Sequence, residues 1–228
     1  SPKKIFTVAD FKKCADKAIE KIFAKNKTPI IVGGTGLYIQ AIVDNIVLPE
    51  VKPNWKLRKE LEKKTTEEMF AILKNLDSER AKNIDAKNPR RLIRAIEIAK
   101  LLGKIPNLDI QCPSWGAIQI GVKLPDEILK KNIEKRIRNM IKSGLVAETK
   151  KLKASGLSWK RIYEFGFEYK YPAMFLRGKI SKEEMLEKML IENWQYAKRQ
   201  MTWFKRDKRI KWINRPPILT GARGIEPL

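Results

Sequence analysis

The sequence predicts an α/β domain interrupted by a helical insertion, and three observations carry that expectation. A short β-branched run, Ile30-Ile31-Val32, leaves one helical pattern and closes on Gly33-Gly34 before another begins, as a buried strand of such a sheet does. Sheet character returns over residues 117–124, where Ile118, Ile120, Val122 and Leu124 alternate with small or polar residues. Between the two, from about Pro49 to Leu108, the chain is charged and helix-patterned, with no strand signal.

The elements follow in order. Thr7 with Asp10 three residues on forms a capping box. Phe11, Ala15, Ala18 and Ile22 follow at helical spacing, so a helix is expected that ends near Asn26. After the first strand, the apolar pattern of residues 37–43 reads as a second helix. Residues 55–64 and 66–76 read as charged helices. Asn88-Pro89 supplies an N-cap and a first-turn proline for another, which Gly103 stops. Asp126 is expected to cap a helix whose Leu129, Ile133, Ile137 and Met140 face inward, and Gly144-Leu145 separates it from a shorter helix ending near Ala154. Gly166, amid Tyr163, Phe165, Phe167 and Tyr169, reads as a kink in a packed loop. Ser181 starts the longest helix, carried by Met185, Leu186, Met189, Leu190 and Ala197 to about Phe204, and residues 209–213 read as a last strand. The expected division is an α/β core of residues 1–48 and 109–215, an insertion of residues 49–108 and a tail of residues 216–228.

Composition narrows the function classes. The chain has 228 residues, 49 Lys+Arg against 26 Asp+Glu and a net charge of +23. A surplus of that size points to a polyanion, nucleic acid before an anionic membrane surface. No histidine and only Cys14 and Cys112 argue against a zinc site, a Ser-His-Asp triad or a disulfide framework. No segment approaches the roughly 18 uninterrupted apolar residues of a membrane span. The start has no secretory h-region, so a cytoplasmic, membrane-free protein is expected.

Three stretches are candidates for chemistry. In Gly33-Gly34-Thr35-Gly36, glycines let the backbone approach a ligand and the following helix N-terminus favours a phosphate. The alternative is a plain strand-to-helix turn, since neither the Lys-Ser/Thr of a phosphate loop nor a dinucleotide spacing follows. In Asn88-Pro89-Arg90-Arg91-Leu92-Ile93-Arg94, cations at a helix N-terminus oppose the macrodipole by about 0.3–1 kcal/mol each. They grip an anion or pair with local carboxylates. Residues 193–212 hold Lys198, Arg199, Lys205, Arg206, Lys208, Arg209 and Lys211 among Trp194, Tyr196, Trp203, Phe204 and Trp212. Cations interleaved with aromatics neutralise phosphates and stack on unpaired bases, although Trp203 and Phe204 read better as core. Arg136 and Arg138 are weaker phosphate candidates, with a solvated helix surface as the default. A specific reaction does not follow from these residues alone.

Taken together, four stretches resemble the bacterial tRNA dimethylallyltransferase family, also called tRNA isopentenyltransferases. They are residues 6–11 (Phe-Thr-Val-Ala-Asp-Phe), 29–38 (Pro-Ile-Ile-Val-Gly-Gly-Thr-Gly-Leu-Tyr), 88–97 (Asn-Pro-Arg-Arg-Leu-Ile-Arg-Ala-Ile-Glu) and 196–207 (Tyr-Ala-Lys-Arg-Gln-Met-Thr-Trp-Phe-Lys-Arg-Asp), in family order. The resemblance implies a P-loop-NTPase-like parallel-sheet core with a helical insertion domain. It also implies transfer of a dimethylallyl group from dimethylallyl diphosphate to N6 of the adenosine 3′ to the anticodon, a base that must leave its stack. Mg²⁺ is the implied cofactor, the tRNA anticodon stem-loop and dimethylallyl diphosphate are the implied partners, and the chain is expected to be a monomer.

Carried over by position, Thr35 is the expected catalytic contact beside the reacting centre. Gly33, Gly34 and Arg136 would serve the diphosphate. Arg58, Arg90, Arg91, Arg94, Gly166, Lys198, Arg199 and Gln200 would contact tRNA. The chain departs from the family in lacking its Gly-Pro-Thr-Ala-Ser-Gly-Lys-Ser/Thr loop and the Asp-Ser segment bearing the general-base Asp, and Ser1 aligns downstream of both. An N-terminally truncated chain, with first strands and phosphate loop missing and inactive alone, is therefore expected. Gly166-Phe167-Glu168-Tyr169 replaces the common Gly-Tyr-Lys-Glu, and Asn132 stands where Arg is frequent. Two other classes remain open at this point: a non-catalytic tRNA-binding protein, and a kinase on the same core, against which the basic cluster of residues 193–212 argues.

Overall fold

The computed structural model describes residues 2–47, 49–106 and 116–214. Its packing divides the chain into two compact units. A helical unit comprises Thr7–Ile30 and Leu37–Gly116, and an αβ unit comprises Ser1–Phe6, Ile31–Gly36 and Ala117–Leu228. That differs from the division expected at residue 48, since Thr7–Ile30 and the residues from Leu37 onward fall in the same unit as the charged helices. The expected boundary at residues 108/109, the tail 216–228 and Cys112 lie outside the described residues.

In the helical unit, α1 (Val8–Phe23) starts as expected. Thr7 accepts from the Asp10 N–H and Asp10 reciprocates to the Thr7 N–H, an arrangement worth about 1 kcal/mol. Its buried stripe runs through Ile19, whereas Ala18 is exposed. The Phe11 ring stacks on Tyr38 of α2 (Gly36–Val43) with centroids 4.5 Å apart, and Lys12 Nζ donates to Asn45 Oδ1 at 2.8 Å. These contacts tie α1 to α2 and to the residues just after it.

Four helices complete that unit: α3 (Trp55–Leu61), α4 (Thr66–Leu76), α5 (Ser78–Lys82) and α6 (Pro89–Leu102). Leu57, Leu61, Met69, Leu73, Leu92 and Ile96 form one buried cluster. Helix α5 escapes the periodicity argument because it is five residues long, nucleated by Asp77 accepting from the Arg80 N–H. Helix α6 has the expected ends, with Asn88 accepting from the Arg91 N–H, Pro89 in the first turn and Gly103 at φ 78° beyond the end.

In the αβ unit, β1 (Ile120–Lys123) pairs in parallel with β2 (Lys211–Asn214), Ile120 opposite Lys211 and Val122 opposite Ile213. Between them come α7 (Asp126–Lys142), α8 (Leu145–Ala154), α9 (Trp159–Tyr163), α10 (Phe167–Leu176) and α11 (Lys182–Phe204). A parallel pair requires such a crossover. Ile137, Leu145, Tyr171, Met185 and Met189 make one core cluster, and Leu157, Ile162 and Ala173 a second.

Four local expectations are corrected. The run Ile30-Ile31-Val32 forms no strand, and Ile30 and Val32 are 82% and 90% exposed. A β-branched run becomes a strand only when a partner takes up its backbone groups. Among the described residues the sheet has two strands, β1 and β2. Likewise Ile118, Ile120 and Val122 are exposed, and the second strand is four residues long. Asp126 is the first helical residue of α7 and not its cap; Pro125 precedes it, and no side chain caps the end. Gly166 lies not in a loop but at the N-cap of α10, where its φ of 108° favours glycine.

Candidate nucleic-acid interface

The αβ unit brings the glycine turn and the end of α11 together. Gln200 Nε2 donates to the Gly34 carbonyl oxygen at 3.0 Å. A Cβ added at Gly34 would collide with the Gln200 amide, and one at Gly36 with the Trp203 indole. The glycines are therefore needed for close approach, but what approaches is a helix of the same chain. Thr35 and Gly33 lie exposed in this turn. Gln200, expected as a direct RNA contact, fixes the backbone beside Thr35.

Just before Gln200, Lys198 and Arg199 are exposed. Lys198 Nζ lies 5.3 Å from the Trp194 ring centroid, and Lys130 Nζ of α7 lies 5.1 Å from the same ring. Arg199 lies 5.9 Å from the Tyr196 centroid and 4.0 Å from Glu192. Exposed cation–π contacts are worth about 0.5–1 kcal/mol, enough to orient these cations without neutralising them. Arg206, Lys205 and Lys208 extend the exposed positive run beyond the helix. Asp207 has its carboxyl held well below the usual range, chiefly by the Arg209 guanidinium at 2.7–2.8 Å. It also accepts from Gln119 at 3.2 Å, which ties the entry of β2 to that of β1.

Arg136 lines an open depression on α7 with Asn132, Lys135, Asn139, Met140 and Ser143. Its Nη2 donates to Asn193 Oδ1 and lies 3.6 Å from Glu168. Asn193 is itself buried and donates to the Met189 carbonyl oxygen at 2.8 Å. Arg136 thus keeps more than half of its side chain in solvent while two neighbours aim it. Arg138 pairs with Glu134 four residues earlier, as a solvated helix face does. Nearby, burial and the Glu148 hydrogen bond push the Tyr169 hydroxyl up to about 12, so it stays protonated at neutral pH.

In the helical unit the expected RNA arginines fall into two pairs. Arg90 and Arg91 are exposed, Arg91 lying 3.8 Å from Asp85. Arg58 and Arg94 converge on Glu97, whose side chain is 1% exposed. Arg58 Nε and Nη2 donate to its two oxygens at 2.8 and 2.7 Å, and Arg94 Nη1 donates at 2.9 Å. The Asn54 N–H donates to it at 2.6 Å. Burial alone would push this carboxyl up, but these hydrogen bonds outweigh it and hold Glu97 at about 2. The same bonds raise Arg58 above its ordinary value. Sequence reasoning missed Glu97 as the partner of these arginines, although the three-residue Arg94-to-Glu97 spacing on one helix face signals it.

Among the described residues no group of three or more His, Cys, Asp or Glu side chains is arranged to hold a metal ion. No helix among the described residues is long and apolar enough to cross a membrane.

A sequence profile of the family described as IPP transferase matches residues 1–207. The chain belongs to the IPP transferase family. Among the relatives of this chain, a tRNA dimethylallyltransferase of Acetivibrio thermocellus is 36% identical over 237 residues, covering 100% of this chain and 76% of the relative. One from Finegoldia magna is 39% identical over 223 residues, covering 93% and 70%. Among solved structures, the tRNA isopentenylpyrophosphate transferase of Bacillus halodurans superposes with a TM-score of 0.63 at 31% identity, covering 94% of this chain and 69% of that one. A eukaryotic dimethylallyltransferase acting on tRNA shares the fold, with a TM-score of 0.74 at 22% identity over 93% of this chain and 57% of that one. The IPP transferase fold seen here is α/β and mostly helical, with a small parallel sheet.

Proposed function

We propose that this chain takes part in tRNA modification, binding an anticodon stem-loop and presenting the adenosine 3′ to the anticodon for dimethylallyl transfer from dimethylallyl diphosphate. The family match across residues 1–207 carries this reading. The exposed Lys198 and Arg199 beside the latched glycine turn support it. In the reaction, N6 of the adenosine attacks the allylic carbon, a C–N bond forms, and the C–O bond to diphosphate breaks. Inorganic diphosphate leaves and N6 gives up one proton to a base.

This chain's own residues have distinct tasks in that scheme. Lys198, Arg199, Arg90 and Arg91 neutralise phosphates of the stem-loop. Trp194 and Tyr196 offer faces for unpaired bases. Thr35, held by the Gln200 latch, offers its hydroxyl to the target nucleotide. Arg136, aimed by Asn193 and Glu168, offers positive charge to the departing diphosphate.

The test is a titration with anticodon stem-loop RNA at several salt concentrations, followed by incubation with dimethylallyl diphosphate and the mass of the RNA. Salt-sensitive binding that the Lys198→Ala/Arg199→Ala pair weakens is expected. Binding that ignores both salt and the substitutions sinks the RNA role. An RNA that binds but gains no mass marks the chain as a tRNA-binding module without transfer.

A further inference from the structure

We infer that Glu97 is a positioning residue for RNA capture, a buried carboxylate that holds the Arg58 and Arg94 guanidinium groups as one preorganised pair directed at phosphate. This rests on the proposed RNA role of those arginines. Arg58 uses Nε and Nη2 on Glu97, and Arg94 uses Nη1 on Glu97 and on the Val51 carbonyl oxygen at 3.0 Å. Arg58 Nη1 and Arg94 Nε and Nη2 have no protein acceptor among the described residues. The carboxylate is 1% exposed, while the two arginine side chains are 27% and 37% exposed. The anion is thus hidden and the cations it orders reach the surface.

Two arginines against one carboxylate keep a net positive charge, and Trp55, 5.2 Å from the Arg58 guanidinium, braces one of them from another side. Rotamer freedom that both arginines would otherwise lose on meeting a phosphate is already lost on folding. Arg58 comes from α3 and Arg94 from α6, so the carboxylate sets the spacing of two cations that the chain separates by 36 positions.

A sign separates this role from plain electrostatics. Glu97→Gln removes a negative charge from a basic surface, so charge alone predicts tighter RNA binding. Positioning predicts the reverse. Arg58→Lys keeps the charge and loses the two-pronged grip, and it is mild enough to keep the fold if Glu97→Gln does not.

Both are titrated as the full chain with anticodon stem-loop RNA, beside wild type and Arg90→Ala, with melting temperatures recorded. The expected result is about tenfold weaker binding for Glu97→Gln and for Arg58→Lys, the size of one lost charge-assisted contact. Equal or tighter binding by a folded Glu97→Gln, or wild-type binding by Arg58→Lys, with Arg90→Ala weakened, overturns the positioning role alone. Wild-type RNA affinity without salt sensitivity overturns the RNA reading and this role together.

Discussion

Two sites, one in each unit, deploy arginine and lysine in opposite ways. At the end of α11, Lys198 and Arg199 lean on aromatic faces and stay in solvent. In the helical unit, Arg58 and Arg94 are tied to a carboxylate that has left water altogether. The first arrangement leaves charge free for a partner and contributes little to stability. The second makes charge part of the fold, because a buried carboxylate deprived of its partners is heavily penalised. Positive residues with one presumed job in the sequence therefore differ in what their loss would do.

The largest expected effect breaks the helical unit. Glu97→Ala strands two cations beside a vacated buried site and should cost about 3–5 kcal/mol in urea unfolding. Lys198→Ala should stay within about 0.5 kcal/mol of wild type. Equal costs for the two would erase the contrast.

Acid sharpens the same contrast. Glu97 has its folded value lowered from the ordinary 4.5 to about 2. Its stabilisation is therefore complete above about pH 4.5 and drains away as pH falls toward 2. Unfolding followed by far-UV circular dichroism across that window should show the loss. In Glu97→Gln that component should be missing.

Next in size is the latch. Gly36→Ala drives a methyl into the Trp203 ring and should cost about 1–3 kcal/mol through overpacking. A changed near-UV tryptophan signal with α11 otherwise intact would locate the damage. The smallest effect on stability, with the clearest effect on binding, belongs to Lys198→Ala/Arg199→Ala. Each lost phosphate contact should lower the salt slope of RNA affinity by about one, with no change in melting temperature.

How much of this was legible in sequence depended on range. Thr7 with Asp10, Asn88 with Pro89, Gly103 and Ser181 marked helix ends correctly because caps are settled within a few residues. The inward faces of α7 and α11 followed from period alone. The β-branched runs at residues 30–32 and 118–122 misled because strand propensity acts only through a neighbour. Helices α9 and α10 were hidden by an aromatic run with no clear period.

For the site, the residue types and motifs were legible, but their partners were not. Arg58 meets Glu97 across 39 positions, and Gln200 meets Gly34 across 166. Those pairings recast Gln200 as a brace and split the arginines into bound and open sets.

Helix α11 runs for 23 residues from Ser181, so its angular phase links everything along it. Met185 and Met189 set that phase in the core, Asn193 meets Arg136, Lys198 and Arg199 look to solvent, and Gln200 and Trp203 lock onto the turn. One residue inserted after Tyr196 would rotate all that follows by about 100°. The cations and the latch would then turn together, away from Thr35, while the core below stayed in register. The helix works as a ruler with a fixed twist, and its spacing is as much a part of the site as the side chains it carries.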